Sequence, residues 1–126
     1  MKKRIESAAA PKAIGPYSQA ISAGGAVYVS GQLPTDPETG KFVSEEIMGQ
    51  TEQCLKNLSA VIEAAGLTMN NVVKITVLLS DMANFTAMNE IYRRFFFEPY
   101  PARVAYEVAK LPQGALVEIE AIAVRD

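Results

Sequence analysis

The chain has 126 residues, of which 49% are hydrophobic and 21% charged, and its formal net charge is −2. This length is enough for one domain with a core of its own. Acidic and basic residues are interleaved, so the basic surface typical of nucleic-acid-binding proteins is missing, and we do not expect nucleic acid as a partner. No apolar run approaches the roughly 20 residues of a membrane span, and no signal-peptide pattern follows the N-terminus. We therefore expect a cytoplasmic protein without a membrane partner.

Cysteine and histidine usage narrows the possible chemistry. Cys54 is the only cysteine and histidine is absent, which excludes an intrachain disulfide, histidine-dependent nucleophiles and most zinc sites. Cys54 falls on one helical face with Leu58 and Val61, and we interpret it as a small core hydrophobe. Catalysis would then depend on carboxylates, Arg, Lys, Tyr, Ser and backbone groups.

The N-terminal third is predicted to be extended. A hairpin of two short strands is indicated by the Gly24-Gly25 pair followed by the run Val27-Tyr28-Val29. Residues 34–40, with two prolines and a glycine, form a turn-rich loop.

A long helix follows that loop. Ser44 is its predicted N-cap, Glu45 and Glu46 fall in its first turn, and Gly66 ends it.

The second half of the chain alternates strands and helix. Residues 72–79 are β-branched and apolar on both faces, which predicts a central strand covered on both sides. Apolar residues from Phe85 to Phe96 predict a helix that ends before Pro99. Two further strands are predicted near 102–108 and 116–124. The order β-β-α-β-α-β-β predicts an α+β sandwich with both helices on one sheet face and a partner subunit on the other.

Charged side chains interrupt the last two strands. Because side chains alternate along a strand, Arg103 shares a face with Glu107, and Glu118 shares a face with Glu120. One interpretation is that these positions are solvated or form a cross-strand Arg–Glu pair worth about 0.2–1 kcal/mol. The other is that they line a functional pocket.

Several sequence blocks, in order and spanning nearly the whole chain, carry a family resemblance: Gly15-Pro-Tyr-Ser18, Tyr28-Val-Ser-Gly-Gln32, Asn89-Glu-Ile-Tyr92 with Phe95-Phe96, Pro101-Ala-Arg103, Leu111-Pro112 and Val117-Glu-Ile-Glu-Ala121. With them the chain resembles the RidA/YjgF/UK114 family of reactive-intermediate deaminases. The resemblance implies a single domain over residues 1–126 with a chorismate-mutase-like fold, assembled as a homotrimeric barrel with sites between subunits.

The activity implied by this resemblance is hydrolysis of reactive 2-enamine or 2-imine acids. Examples are 2-aminoacrylate, 2-iminopropanoate and 2-iminobutanoate, which yield a 2-keto acid and ammonia. The family uses no cofactor and no metal.

The resemblance assigns the chemical roles to the last two strands. Arg103 would bind the substrate carboxylate, since a planar guanidinium can hold it through two parallel hydrogen bonds. Glu118 would orient the attacking water and transfer its proton, and the backbone carbonyl of Ala105 would help to hold that water. Glu120 matches a position with an interface or structural role.

The remaining predicted site residues come from the other blocks. Tyr17 is a candidate proton donor or stacking wall, while Ser30, Gly31 and Asn89 match positions that line the pocket. Without the resemblance, Tyr17 would be read as a core aromatic, Ser30 as a turn hydroxyl and Asn89 as a helix-surface amide.

One departure from the family concerns Ala105, where many bacterial members have cysteine. The predicted contact there is through the backbone, so deamination is expected to survive, whereas any redox behaviour of that thiol is lost. Two alternatives to the deaminase remain: a ligand-binding or regulatory trimer, and the RNA-cleaving, translation-inhibiting activity known in some relatives. Arg103 favours the deaminase.

Overall fold

Six strands form one mixed sheet with two helices on one of its faces, in a computed structural model that describes residues 1–126. The strands are β1 (Lys3–Ile5), β2 (Ala20–Ala23), β3 (Ala26–Gln32), β4 (Val72–Leu79), β5 (Ala102–Glu107) and β6 (Val117–Val124); the helices are α1 (Ile47–Ala64) and α2 (Phe85–Tyr92).

The strand order in the sheet is β1-β2-β3-β6-β4-β5. Strands β4 and β5 are parallel, and all other neighbours are antiparallel. The predicted α+β class and the two helices on a mixed sheet are confirmed. Strand β1 was not predicted, because it has only three residues, two of them charged and exposed, which is too short to show alternation.

The predicted hairpin is formed by β2 and β3. The strands are paired up to Ala23 and Ala26, and the two residues between them, Gly24 and Gly25, have φ angles of 57° and 82°. A two-residue turn with both residues in the left-handed region matches the twist of paired strands, and glycine reaches that region without strain.

Helix α1 begins later than predicted and ends where predicted. The Ser44 hydroxyl accepts the Glu46 N–H at 3.0 Å, so Ser44 closes a turn before the helix instead of capping it, and Glu46 becomes the N-cap. At the other end Gly66 has φ 81° and Leu67 donates its N–H to the Ile62 carbonyl. These features form a Schellman motif, which requires a left-handed residue after the last turn.

Helix α2 is shorter than predicted, because the chain tightens after Tyr92. The Arg94 and Phe95 N–H groups bond to carbonyls three residues earlier instead of four, which ends the α-helix. Phe96 therefore lies beyond the helix, yet it remains buried and its ring centroid lies 4.7 Å from that of Tyr92.

The core lies between the two helices and the face of the sheet that they cover. It is built from alternate residues of the three central strands and one face of each helix: Val27, Val29, Cys54, Leu55, Leu58, Val61, Ile62, Ile75, Val77, Leu79, Met88, Tyr92, Val117, Ile119, Ala121 and Ala123. Cys54 is fully buried, as expected of a core hydrophobe. Burial raises the pKa of its thiol well above the usual 9.0.

The other face of the sheet carries no helix, and we call it the open face. Large side chains on it are partly exposed, between 39% and 50%: Tyr28, Val104, Tyr106 and Val124. Strand β4 is thus covered on one side within this chain, and the cover predicted for its other side would have to come from a partner subunit. Neither helix is both long and apolar enough to cross a membrane.

Candidate functional site

The structure divides the predicted site residues between the two faces of the sheet. Arg103 is in register with Ile75, a fully buried residue under the helices, so the Arg103 side chain lies on the helix-covered side. Glu118 is paired with Leu78, which lies on the open face. Strand β5 contacts β4 and not β6. The alternative interpretation of a cross-strand Arg–Glu pair is therefore excluded, and one chain does not bring Arg103 and Glu118 together.

Three side chains of α2 hold Arg103, and we call them the arginine cradle (Phe85, Asn89 and Tyr92). The Arg103 Nη1 donates to Asn89 Oδ1 at 2.7 Å. The Cζ atom lies 4.7 Å from the Tyr92 ring centroid and 5.5 Å from that of Phe85. Residues spaced four and three apart share one face of a helix, so α2 presents all three to the edge strand at once. Ala105 lies two residues further along that strand, half-buried and in register with Val77.

The guanidinium of Arg103 has no carboxylate partner in the chain. The three ion pairs of the structure all involve other residues, namely Arg4–Glu6, Lys56–Glu52 and Arg93–Glu90. A guanidinium has five N–H donors in a planar fork, and the side-chain contacts use one of them. The positive charge is held in place but not neutralised, which is what the binding of an anion requires.

Sequence reasoning identified Asn89 but missed the two aromatic members of the cradle. Phe85 and Tyr92 were read as the apolar stripe of a helix, and Tyr92 is indeed 6% exposed. Its hydroxyl is buried without a hydrogen-bond partner. Burial raises the pKa of Tyr92, with the nearby positive charge of Arg103 acting in the opposite direction. The available signal was the spacing: Phe85 lies four residues before Asn89 and Tyr92 lies three residues after it, which places all three on one face of a helix.

A β-bulge shapes the open-face half of the site. Residues 30 and 31 of β3 together lie opposite the single residue Glu120 of β6, the two-against-one arrangement of a bulge. The Glu118 carboxyl lies directly against Gly31, at the position that a β-carbon would occupy. Any side chain at position 31 would displace this carboxyl, so the glycine is needed where it stands.

Glu118 is partly buried on the open face. Burial, and then the negative charge of Glu120, raises the pKa of Glu118 above the usual 4.5. A carboxyl whose pKa is moved toward neutrality is better able to accept and return a proton near pH 7. Glu118 therefore holds a proton more tightly than an exposed carboxyl does.

Tyr17 lies on the loop that precedes β2, and Ser30 of β3 lies beside the end of that loop. The Ser30 hydroxyl donates to the Ser18 carbonyl at 2.6 Å, and its N–H donates to the Gln19 carbonyl at 2.9 Å. Both bonds attach the preceding loop to β3. Tyr17, on that loop, is 54% exposed and lines an open groove of about 580 Å³ with residues of the N-terminal segment. Neither Arg103 nor Glu118 lines that groove.

The structure also brings together no group of three or more Cys, Asp or Glu side chains that could hold a metal ion.

Comparisons with known proteins place this geometry in a family. Residues 7–125 match the family model described as Endoribonuclease L-PSP. A RutC family protein of Pyrococcus horikoshii is 52% identical, with all of both chains aligned. The 2-iminobutanoate/2-iminopropanoate deaminase of Mus musculus is 50% identical over 99% of this chain and 93% of its own. The crystal structure of E. coli TdcF with bound serine is 42% identical, covers 98% of this chain and 99% of that one, and has a TM-score of 0.93. The chain therefore belongs to the RidA/YjgF/UK114 family, in which relatives about half identical to it are named as deaminases.

Proposed function

We propose that this protein hydrolyses small 2-imino and 2-enamino acids to 2-keto acids and ammonia. The observation that carries the proposal is the unpaired guanidinium of Arg103, held on α2 by neutral groups only. Every such substrate carries a carboxylate on the carbon that bears its nitrogen, and a guanidinium can hold that carboxylate in one orientation by two parallel hydrogen bonds. A 2-enamino acid acquires its C=N bond by tautomerising to the imine. The mouse relative's name and the serine bound in the TdcF structure agree with a small amino-acid-like ligand.

The proposed reaction uses Glu118 as the proton carrier. Arg103 binds the substrate carboxylate and fixes the C=N carbon. Glu118 accepts a proton from a water as the water oxygen attacks that carbon, and the Ala105 carbonyl helps to hold the water. Glu118 passes that proton to the nitrogen, which gives a carbinolamine. Glu118 then takes the proton of the new hydroxyl group as the C=O bond forms and delivers it to the nitrogen, so the C–N bond breaks and ammonia leaves. In this scheme Tyr17 is a proton donor or a wall of the pocket, with Ser30 and Gly31 beside it.

A site that uses both Arg103 and Glu118 must combine two copies of the chain, because one sheet separates them. The open face supports such an assembly, since its large apolar side chains lack a cover within the chain. We propose a homotrimer in which the open faces meet in a barrel and each site lies between neighbours. A cytoplasmic location is part of the same proposal.

The decisive experiment measures 2-keto acid formation from imines generated in situ by an amino-acid oxidase, with the parent and its Arg103→Ala and Arg103→Lys variants. We expect acceleration by the parent and a loss of roughly 30- to 3,000-fold in kcat/KM for Arg103→Ala. Arg103→Lys should lie between them, because lysine keeps the charge but not the fork. Sedimentation should give a trimer mass for all three. No acceleration by the parent over several imines, or full activity in Arg103→Ala, would refute the proposal.

RNA cleavage is a second candidate, favoured by the description of the matching family model. The sequence pI of about 5.2 and net charge of −2 disfavour tight RNA binding at physiological salt. We expect no cleavage of single-stranded RNA by the parent at 150 mM salt, a concentration at which surface charge is screened beyond roughly 8 Å. Carboxylate binding without turnover would instead indicate a ligand-binding or regulatory trimer.

A further inference from the structure

We propose that the arginine cradle positions Arg103 for carboxylate binding and thereby sets KM without taking part in the chemical step. The proposal rests on the deaminase function proposed above and adds two residues, Phe85 and Tyr92, that would serve it. Asn89 then acts through Arg103, and contact with substrate is not needed to explain it.

The geometry restricts the guanidinium in two ways. The rings of Phe85 and Tyr92 both lie within about 6 Å of Cζ, the range in which a cation is attracted to an aromatic face. The 2.7 Å bond to Asn89 fixes the rotation of the guanidinium in its own plane. A free arginine side chain would lose rotamer entropy when substrate binds. A side chain already ordered loses less, so binding is tighter.

The cradle also leaves the charge of Arg103 available. Aromatic rings and an amide oxygen orient a cation without cancelling its charge, whereas a carboxylate in the same place would compete with the substrate. Position 89 allows the effect of charge to be tested separately from shape, because aspartate has nearly the same shape as asparagine and differs mainly in charge. Replacing the Asn89 amide by a carboxylate is therefore expected to weaken substrate binding more than removing the hydrogen bond that the amide accepts.

The aromatic ring of Tyr92 is the part of this side chain that lies under Arg103. Its hydroxyl is buried with no partner at hydrogen-bond geometry, and the Arg103 guanidinium is close enough to oppose the rise that burial causes in the pKa of Tyr92. Phenylalanine at this position keeps the aromatic face under Arg103 and the packing on Phe96. Tyr92→Phe is therefore the conservative substitution, and it should disturb the cradle less than Tyr92→Leu, which removes the ring.

Steady-state kinetics on 2-iminopropanoate test these statements. Phe85→Leu should raise KM about 2- to 10-fold, the range of a cation–π contact, with kcat changed less than twofold. Tyr92→Phe, which keeps the ring, should change KM less than Tyr92→Leu, which removes it. Phe42→Leu, a matched control, should leave KM unchanged, since Phe42 is also half-buried but lines a groove away from Arg103. Asn89→Asp should raise KM more than Asn89→Ala. An unchanged KM in Phe85→Leu, or an equal effect of the two Asn89 variants, would overturn the proposal.

A readout independent of turnover separates this proposal from the deaminase itself. The Arg103 Nε–Hε resonance should be shifted in the parent by the two ring currents and should move toward the free-arginine position in Phe85→Leu. Titration with 2-oxobutanoate, a product-like carboxylate, should give a weaker Kd for that variant by the same factor as KM. If the parent binds 2-oxobutanoate but turns over no imine, the deaminase proposal fails while the cradle stands. An unshifted Arg103 resonance in the parent would refute the cradle alone.

Discussion

Replacing Gly31 by alanine should reduce catalysis while leaving the fold intact. The added β-carbon would overlap the Glu118 Oε2 atom and would lie 2.9 Å from its Cδ and 3.1 Å from its Cγ. The colliding atoms are the end of a side chain that can rotate, so the carboxyl should move and the backbone should stay. The off-rotamer cost to Glu118, about 0.5–1.5 kcal/mol, is close to the roughly 0.5–1 kcal/mol gained by replacing a strand glycine.

Stability should therefore change by less than about 1 kcal/mol, whereas a carboxyl displaced by about 1 Å can cost up to about 10²-fold in rate. The assay is kcat/KM on 2-iminopropanoate alongside thermal melting of parent and variant. A Gly31→Ala, Glu118→Gln double variant should be no slower than Glu118→Gln alone, because both changes act on one carboxyl. Multiplying losses in the double variant, or full activity in Gly31→Ala, would refute the reasoning.

Four further outcomes follow from three buried or partly buried groups, namely Glu118, Cys54 and Asn57. Because the pKa of Glu118 is raised above 4.5 in the folded state, kcat/KM should fall as pH drops through that raised value, and Glu118→Gln should lack this limb. The folded state holds that proton more tightly than the unfolded chain, so ionisation costs stability as pH rises; Glu118→Gln should raise Tm at pH 8 and not at pH 4. The Cys54 thiol, fully buried, should react with a thiol reagent only in denaturant, and rapid reaction of the folded protein would contradict its core placement. The Asn57 side-chain amide donates to two loop carbonyls at 3.0 and 2.9 Å, so Asn57→Ala should lower the free energy of unfolding in urea by about 2–4 kcal/mol. A loss below about 1 kcal/mol would show that water replaces the amide.

The long elements of this fold were predictable from local pattern. Strand β4 is a β-branched, apolar run of 8 residues and helix α1 has clear periodicity over 18 residues, and Gly66 marks a helix end through its backbone freedom. The helix start was misjudged because a serine hydroxyl can cap a turn as readily as a helix. The end of α2 was misjudged because Phe96 packs into the core from a tight turn at the spacing that a helix would give.

The relation between Arg103 and Glu118 was beyond reach of the sequence. Period two groups residues by face within each strand, but it does not say which face of one strand matches which face of another. Only the sheet order, with β4 between β5 and β6, and the register of both pairings settle it. The bulge at residues 30 and 31 was equally invisible, because an extra residue in a strand changes the alternation without a signature of its own.

The separation of Arg103 and Glu118 by one sheet has a genetic meaning if the site forms between copies. A chain lacking the arginine and a chain lacking the carboxylate would each be inactive alone, yet a mixed trimer would contain one interface where an intact arginine meets an intact carboxylate. Random mixing of equal amounts would then restore about a quarter of the sites. Two defective alleles in one cell could complement each other, and a defective subunit would impair the sites that it shares with normal neighbours.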